Sequence, residues 1–512
     1  MVCDRRGCSS DVDSNPGYGQ AVRLHDGWFL RAAGGDVPPA VAAARVPATV
    51  PGCVHTDLLA AGLIPDPYVD DNEAALHWIG RADWAYETVF DWPGGGADLV
   101  CEGLDTVATV MLNGVELGRT VNMHRTHRLD ARPALRPGRN TLAVRFDSAY
   151  RYAEELRDRL GDRPNAYPEP FNFVRKMACN FGWDWGPTLV TAGIWRPIGL
   201  HRWRTARLAR VVPHVRGDGR VEIHATLARE VDAPLTLTAA VAGVRGRVRV
   251  PPDRGEAVVT LAVPDPARWW PRGYGDQPRY LLTVELTDAA GQRLDGWRRH
   301  IGFRDVRLDT EPDADGTPFT LVVNDRPVFV RGVNWIPDDA FPSRVTRQRY
   351  ARRLAQACEA GVNYVRVWGG GVYESDDFYD LADELGLLVG QDFLFACAAY
   401  PEEEPLRSEV AAEAADNVVR LARHPSLVLW TGNNENLWGF ADWGWREPLA
   451  GRSWGAGYYF DLLPRTVAEL DPTRPYWPGS PYSGTPDRHP NDPAHGTTHI
   501  WDVWNREDYT HY

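Results

Sequence analysis

The sequence has no long apolar run. No stretch approaches the ~20 consecutive apolar residues of a membrane-spanning helix, and residues 1–20 hold no apolar core of a secretory signal. No membrane partner is expected, and the location expected is cytoplasmic. Cysteine is sparse: Cys3, Cys8, Cys53, Cys101, Cys179, Cys358 and Cys397. Their odd number and scattered positions argue against a disulfide framework, and they show no metal-ligand spacing. Neither a metal nor another cofactor is expected. Positive charge is short as well. The 56 Lys plus Arg face 69 Asp plus Glu, a formal net charge of -13, which argues against nucleic acid as a partner. A neutral substrate is indifferent to that balance.

Tryptophan is plentiful. Several of the 21 Trp fall beside turns and carboxylates rather than in apolar runs. Sugars present flat C–H faces that stack on aromatic rings, and their hydroxyls need carboxylates and amides. Trp close to Asp, Glu and Asn is therefore what a carbohydrate site requires, although most indoles serve the core. With 44% hydrophobic and 24% charged residues the chain is a globular one, and its 512 residues suit two to four domains at roughly 100–200 residues each.

Residues 1–19 are polar and rich in Gly, Ser and Asp, and are expected to be disordered. From 20 to 205 short strands follow one another. Trp84–Phe90 alternates with period two, Asp98–Glu102, Ala108–Leu112 and Asn140–Phe146 are further strands, and Asn113-Gly114 is a hairpin turn. This is the pattern of a jelly-roll sandwich. One segment departs from it: Phe181-Gly-Trp-Asp-Trp-Gly-Pro187. Trp183, Asp184 and Trp185 stand between turn glycines. The carboxylate between two indoles suits either a sugar grip or a packed interface.

Residues 206–308 read as an immunoglobulin-like sandwich, with strands at Val221–Leu227, Leu235–Val241, Val248–Val250, Ala257–Leu261 and Tyr280–Leu286. Trp269-Trp270-Pro271 is expected to pack against a neighbouring domain. No chemical motif stands out here, and the domain reads as a spacer.

From 309 to 512 strands alternate with helices, the pattern of a (β/α)8 barrel. Strands are expected in the strand-and-loop segment Phe329–Pro337, at Asn363–Trp368 and Leu387–Phe393, from Leu427 leading to Glu435, and at Tyr476–Ser480 and His499–Trp504, and helices at Arg347–Ala360, Ser375–Leu385 and Ser408–Ala422. This is an incomplete barrel of six strands. Each strand ends in polar or aromatic residues, among them Asn334, Trp368, Asp392, Glu435, Ser480 and Trp501, on the face where barrels carry their chemistry. Gly369–Gly371 lacks the Lys-Ser/Thr of a phosphate loop. It reads instead as room for a sugar to approach Trp368. The apolar run Leu427-Val-Leu-Trp430 gives way abruptly to Asn433-Asn434-Glu435. Most glutamates are solvated loop residues, and these nine residues alone do not separate that reading from a catalytic one.

Taken together, the motifs resemble the β-mannosidases of glycoside hydrolase family 2. The resemblance is carried by Thr56-Asp57-Leu58-Leu59, Asp66-Pro67-Tyr68, Asn72-Glu73, Arg175-Lys176, Phe181–Pro187, Gly193-Ile-Trp195, Arg366–Glu374, Gln391–Phe395 and the Asn434-Glu435 pair. It covers nearly the whole chain after about residue 40. It implies a retaining exo-glycosidase releasing terminal β-D-mannosyl residues, with Glu435 as general acid/base and Asn434 on the sugar 2-hydroxyl. It implies further that Trp183, Asp184, Trp368, Trp443 and Trp501 line the terminal subsite. A carbohydrate is then the partner expected, and the oligomeric state is left open. Such chemistry needs a second carboxyl group about 5–5.5 Å away as nucleophile, and the family's Ser-Glu-aromatic-Gly segment is not found. Glu374 and Glu507 do not match it. The expectation is an N-terminal part of a longer protein, its nucleophile beyond Tyr512, and inactive as it stands. A β-glucosaminidase or β-galactosidase of the same family, or a non-catalytic sugar-binding protein, remain alternatives.

Overall fold

The computed structural model describes residues 21–503 and residue 510. The segment expected to be disordered lies outside them, as do Trp504 and Glu507.

The first domain packs a six-stranded antiparallel sheet against a four-stranded one. Alternation sets the inward faces. Along Val107–Leu112 the side chains of Ala108, Val110 and Leu112 are buried and their neighbours are not. Leu112 pairs with Val115 across Asn113 and Gly114, whose φ of 52° and 81° are the left-handed angles of a tight hairpin turn. Trp28, Trp84, Tyr86, Trp92 and Phe146 fill the space between the sheets.

The second domain is a sandwich of three and four strands. All five strands read from the sequence are present. Two more, Ala206–Val215 and Arg293–Ile301, escaped that reading. Pro213 interrupts the first, and Arg298-Arg299 hides the alternation of the second. Trp269 is fully buried and donates its indole N–H to the Asp383 carbonyl of the third domain at 2.9 Å, so the Trp-Trp-Pro segment does pack across a domain boundary.

The third domain is a parallel sheet whose strands lie in chain order. It runs β1 (Gly332–Trp335), α1 (Arg347–Glu359), β2 (Tyr364–Val367), α2 (Asp376–Leu385), β3 (Leu388–Asp392), α3 (Leu406–Leu421), β4 (Leu427–Thr431), α4 (Asn436–Asp442) and β5 (Tyr476–Trp477). β3 and β4 are buried along their whole length, as strands of a parallel sheet covered on both faces are. The strand expected at His499–Trp504 is not formed. His499–Trp501 is coil, and five parallel strands are present among the described residues. His499 and Trp501 line a cavity instead of pairing in a ladder.

A buried ion pair ties the first domain to the third. Arg175 of the first domain makes a bidentate contact with Glu413 on α3, at 2.9 and 2.6 Å, both side chains buried. Next to it, the buried Lys176 pairs with Asp105 and donates to Thr191. Tyr68 donates to Asp339 in the loop after β1, and Glu73 accepts the Thr188 N–H. These contacts seat the Phe181–Pro187 loop on the C-terminal ends of the barrel strands.

Candidate active site

β4 runs straight into the site. Its last residues are followed by Glu435, which adopts φ 64° and ψ 0° and starts α4. A left-handed conformation in a residue other than glycine costs of order 1–3 kcal/mol and persists only where the surroundings hold it. Here the Glu435 N–H donates to the Ser480 carbonyl and its own carbonyl accepts from Gly439. Cys397, beyond β3, is also left-handed at φ 49°. The two strained residues meet: the Cys397 thiol donates to Glu435 Oε2 at 3.3 Å.

The other carboxylate oxygen, Oε1, accepts from His499 Nδ1 at 2.7 Å and from the Trp501 indole N–H at 3.0 Å. An ionised carboxylate only accepts, so His499 carries its proton on Nδ1. Ser480 Oγ lies 2.8 Å from the other ring nitrogen and fixes the ring. The order Ser–His–Glu has the spacing of a nucleophilic triad, but Ser480 does not line the cavity. It holds the imidazole and is not aimed at a substrate. Burial acts to raise the Glu435 carboxyl, and His499, Trp501 and Cys397 outweigh it, leaving it below the usual glutamate range. A carboxyl that must protonate a leaving oxygen works best with a raised value, and this arrangement produces the opposite because three donors converge on one carboxylate. Replacing His499 by Asn is expected to move the Glu435 titration upward. Carbon-13 NMR of the labelled carboxyl reads this directly, and an unmoved titration would show that His499 does not set it.

Asn434 is held just as firmly. Arg366 on β2 donates to Asn434 Oδ1 at 2.9 Å and pairs with the buried Asp392 of β3 at 2.7 Å. A guanidinium has no acceptor, so the amide oxygen must face it. The amide nitrogen turns towards Cys397 Sγ, 3.3 Å away. Adjacent parallel strands put Asn334, Arg366, Asp392 and Asn434 side by side.

These residues open into a cavity of about 870 Å³. Glu435, Asn434, Asp184, Trp183, Trp368, Trp443 and Trp501 all line it, together with Tyr167, Trp185, Arg366, Cys397, Trp438 and His499. The Trp183 and Trp185 rings stand edge-on to Trp368, with centroids 4.8 and 5.6 Å apart. Asp184 is exposed to the cavity, and its N–H donates to the Tyr167 hydroxyl. Gly370 serves Trp368 itself: a Cβ there would sit 1.8 Å from the indole, so the ring folds back over that residue. Gly369 lies against the Phe393 and Phe395 carbonyls and Gly371 against Pro337. Glu374 is buried elsewhere, bonded to Trp335 and Tyr350, and does not line the cavity.

Sequence reading missed His499, Arg366, Cys397 and Trp438 as site residues. His499 had been read as the start of a strand. Arg366 belonged to a quoted motif, but only strand register reveals its partners.

Three family models match in chain order: the glycosyl hydrolase 2 galactose-binding domain-like model over residues 28–196, the glycosyl hydrolases family 2 model over 206–304, and the glycosyl hydrolases family 2 TIM barrel domain model over 317–478. A beta-mannosidase B from Thermothelomyces thermophilus is 36% identical over 484 residues, covering 89% of this chain and 56% of the relative. The crystal structure of a beta-D-mannosidase from Dictyoglomus thermophilum superposes with a TM-score of 0.88 at 38% identity, covering 95% of this chain and 60% of that one. An exo-chitosanase from Amycolatopsis orientalis, at 21% identity, a TM-score of 0.69 and coverage of 91% of this chain and 53% of its own, shares the fold. The chain spans less than two thirds of the length of each. Domain order, barrel and matched models agree: the chain belongs to glycoside hydrolase family 2.

Proposed function

We propose that this chain carries the sugar-binding pocket and the general acid/base of a retaining exo-β-mannosidase, acting on terminal β-D-mannosyl residues. One observation carries the proposal: a carboxylate, an amide and a cluster of indoles from two domains meet in one cavity. A pocket walled by a loop of another domain suits a chain end better than the interior of a polymer. The beta-mannosidases among its relatives, at 36% and 38% identity, favour mannose over the other sugars of the family. The Asn434 surroundings agree. Its neighbour is the Arg366 cation, whose partner Asp392 is fully buried, and a cation beside Asn434 is a poor setting for the 2-ammonium of a glucosaminide.

In this reading Asn434 donates to the 2-hydroxyl, and that bond strengthens as charge develops at the neighbouring carbon. Glu435 protonates the leaving oxygen and then activates water. It must be protonated for the first step. A second carboxylate at about 5–5.5 Å would push its pKa up by like-charge repulsion. The carboxylates lining the cavity among the described residues are Asp184, Glu435 and Asp502. None stands in the Ser-Glu-aromatic-Gly setting that the family resemblance implies for the nucleophile. The 512-residue chain is accordingly expected to bind sugar without turning it over.

A non-catalytic sugar-binding protein is the second reading, favoured by the depressed Glu435 carboxyl. Turnover of an aryl β-mannoside by the chain joined to the remaining segment of a relative separates the two. Asp184→Ala is expected to weaken methyl β-mannoside binding by about tenfold or more, the usual worth of a hydrogen bond to a charged group. Titration calorimetry measures it, and an unchanged Kd would remove Asp184 from the subsite.

A further inference from the structure

A second cavity, about 440 Å³ in volume, lies where the three domains meet and shares no lining residue with the first. Arg128, Arg196 and Arg202 enter from the first domain, Arg207, Arg210 and Arg299 from the second, and Arg420 and Arg423 from the end of α3 and just beyond it. Asp295, Asp376 and Asp416 are the acids on its wall. Behind the wall, Asp98 pairs with Arg128 and Arg207, and Asp380 with Arg423. Glu102 acts on Arg196 and Arg299 from nearby. The arginines still outnumber all of these acids.

The crowding has a cost. Burial, and then the charge of Arg420, push Arg196 down to about 10. Burial and Arg423 lower Arg299 in the same way. Several donors lack protein partners. His124 is 3% exposed, and neither ring nitrogen is hydrogen-bonded. Burial above all keeps its imidazole neutral, pushed down to about 3, so it offers one N–H. The buried Nε of Arg420 also lacks a hydrogen-bond acceptor. Buried donors are normally satisfied, and each exception calls for an explanation.

We propose that this cavity binds a small, multiply charged oxyanion of the phosphate or phosphomonoester class, held by arginines of all three domains with His124 donating a neutral hydrogen bond. Guanidinium forks match phosphate oxygens two at a time. The volume suits a small molecule and not a polymer. Because the wall is drawn from every domain, the bound anion would clamp their arrangement and raise the unfolding temperature by linkage.

The test uses the 512-residue chain. Inorganic phosphate, glucose 6-phosphate and citrate are titrated by calorimetry and by thermal unfolding, against chloride at equal ionic strength. Phosphate or glucose 6-phosphate should bind saturably and raise Tm, and citrate should not. The double variant Arg210→Ser with Arg299→Ser should weaken binding about tenfold or more, since hydrogen bonds to charged groups carry that much. The double variant Arg247→Ser with Arg249→Ser, on a separate strand of the second domain, removes the same charge and should change nothing. Arg210→Ser alone supplies the readout if the double variant fails to fold. No saturable binding, citrate binding alone, or equal losses in both double variants would overturn the proposal.

Discussion

Glu435→Gln, in the chain joined to a relative's remaining segment, is expected to lower kcat/KM for a β-mannoside with a poor leaving group by about 10²–10⁴-fold, the worth of general acid–base assistance. An activated aryl mannoside should lose less in its first step, because its leaving group needs no proton. The geometry supports this split. Glu435 is anchored by backbone bonds on both sides and by three side-chain donors, so the amide should occupy the same place with little rearrangement. With the amide oxygen in the place of Oε1, His499 and Trp501 would keep their acceptor, and the NH2 would face the Cys397 sulfur. Steady-state rates on the two substrate types check it. Equal losses on both would take Glu435 out of the acid role.

Arg175→Ala should destabilise the protein by about 3–5 kcal/mol, the typical cost of removing one partner of a buried pair. Glu413 accepts from Arg175 twice, from Asn122 at 3.0 Å and from Tyr373 at 3.3 Å. Without the guanidinium its buried carboxylate keeps only the two neutral donors. The loss depends on pH. Burial acts to raise the Glu413 carboxyl, but Arg175 holds it below the ordinary glutamate value of about 4.3. The pair therefore stabilises the fold above about that pH and loses its contribution as pH falls through the lower, folded value. Chemical denaturation of both proteins from pH 7 downward should show the gap shrinking on the acid side. Arg175→Met with Glu413→Leu should recover much of the stability. A gap that stays constant with pH would mean the loss is one of packing, for instance of the Arg175 guanidinium over the Phe395 ring.

Much of this was legible in the residues. Alternation gave the sandwich strands, and Asn113-Gly114 gave the hairpin. The abrupt passage from Leu427-Val-Leu-Trp430 to Asn434-Glu435 gave the end of a barrel strand. The Trp-Asp-Trp turn between glycines pointed to a loop with a task, and all seven residues named for the site line one cavity. What escaped was set by contacts distant in sequence. His499 is 64 residues from the carboxylate it bonds, and its segment alternates like a strand. The depressed Glu435 carboxyl depends on three donors from two separate segments, which no local pattern announces. The Gly370 role depends on how the Trp368 ring folds back, and the arginine cavity exists only because three domains meet there.

The most direct measurement is a crystal structure of the chain soaked with methyl β-mannoside. The account places the sugar in the cavity between Trp368 and Asp184. Its 2-hydroxyl should lie on Asn434, and its glycosidic oxygen within about 2.6–3.2 Å of Glu435, the reach of a proton-transferring group. A sugar bound with its glycosidic oxygen turned away from Glu435, or bound only outside this cavity, would contradict it.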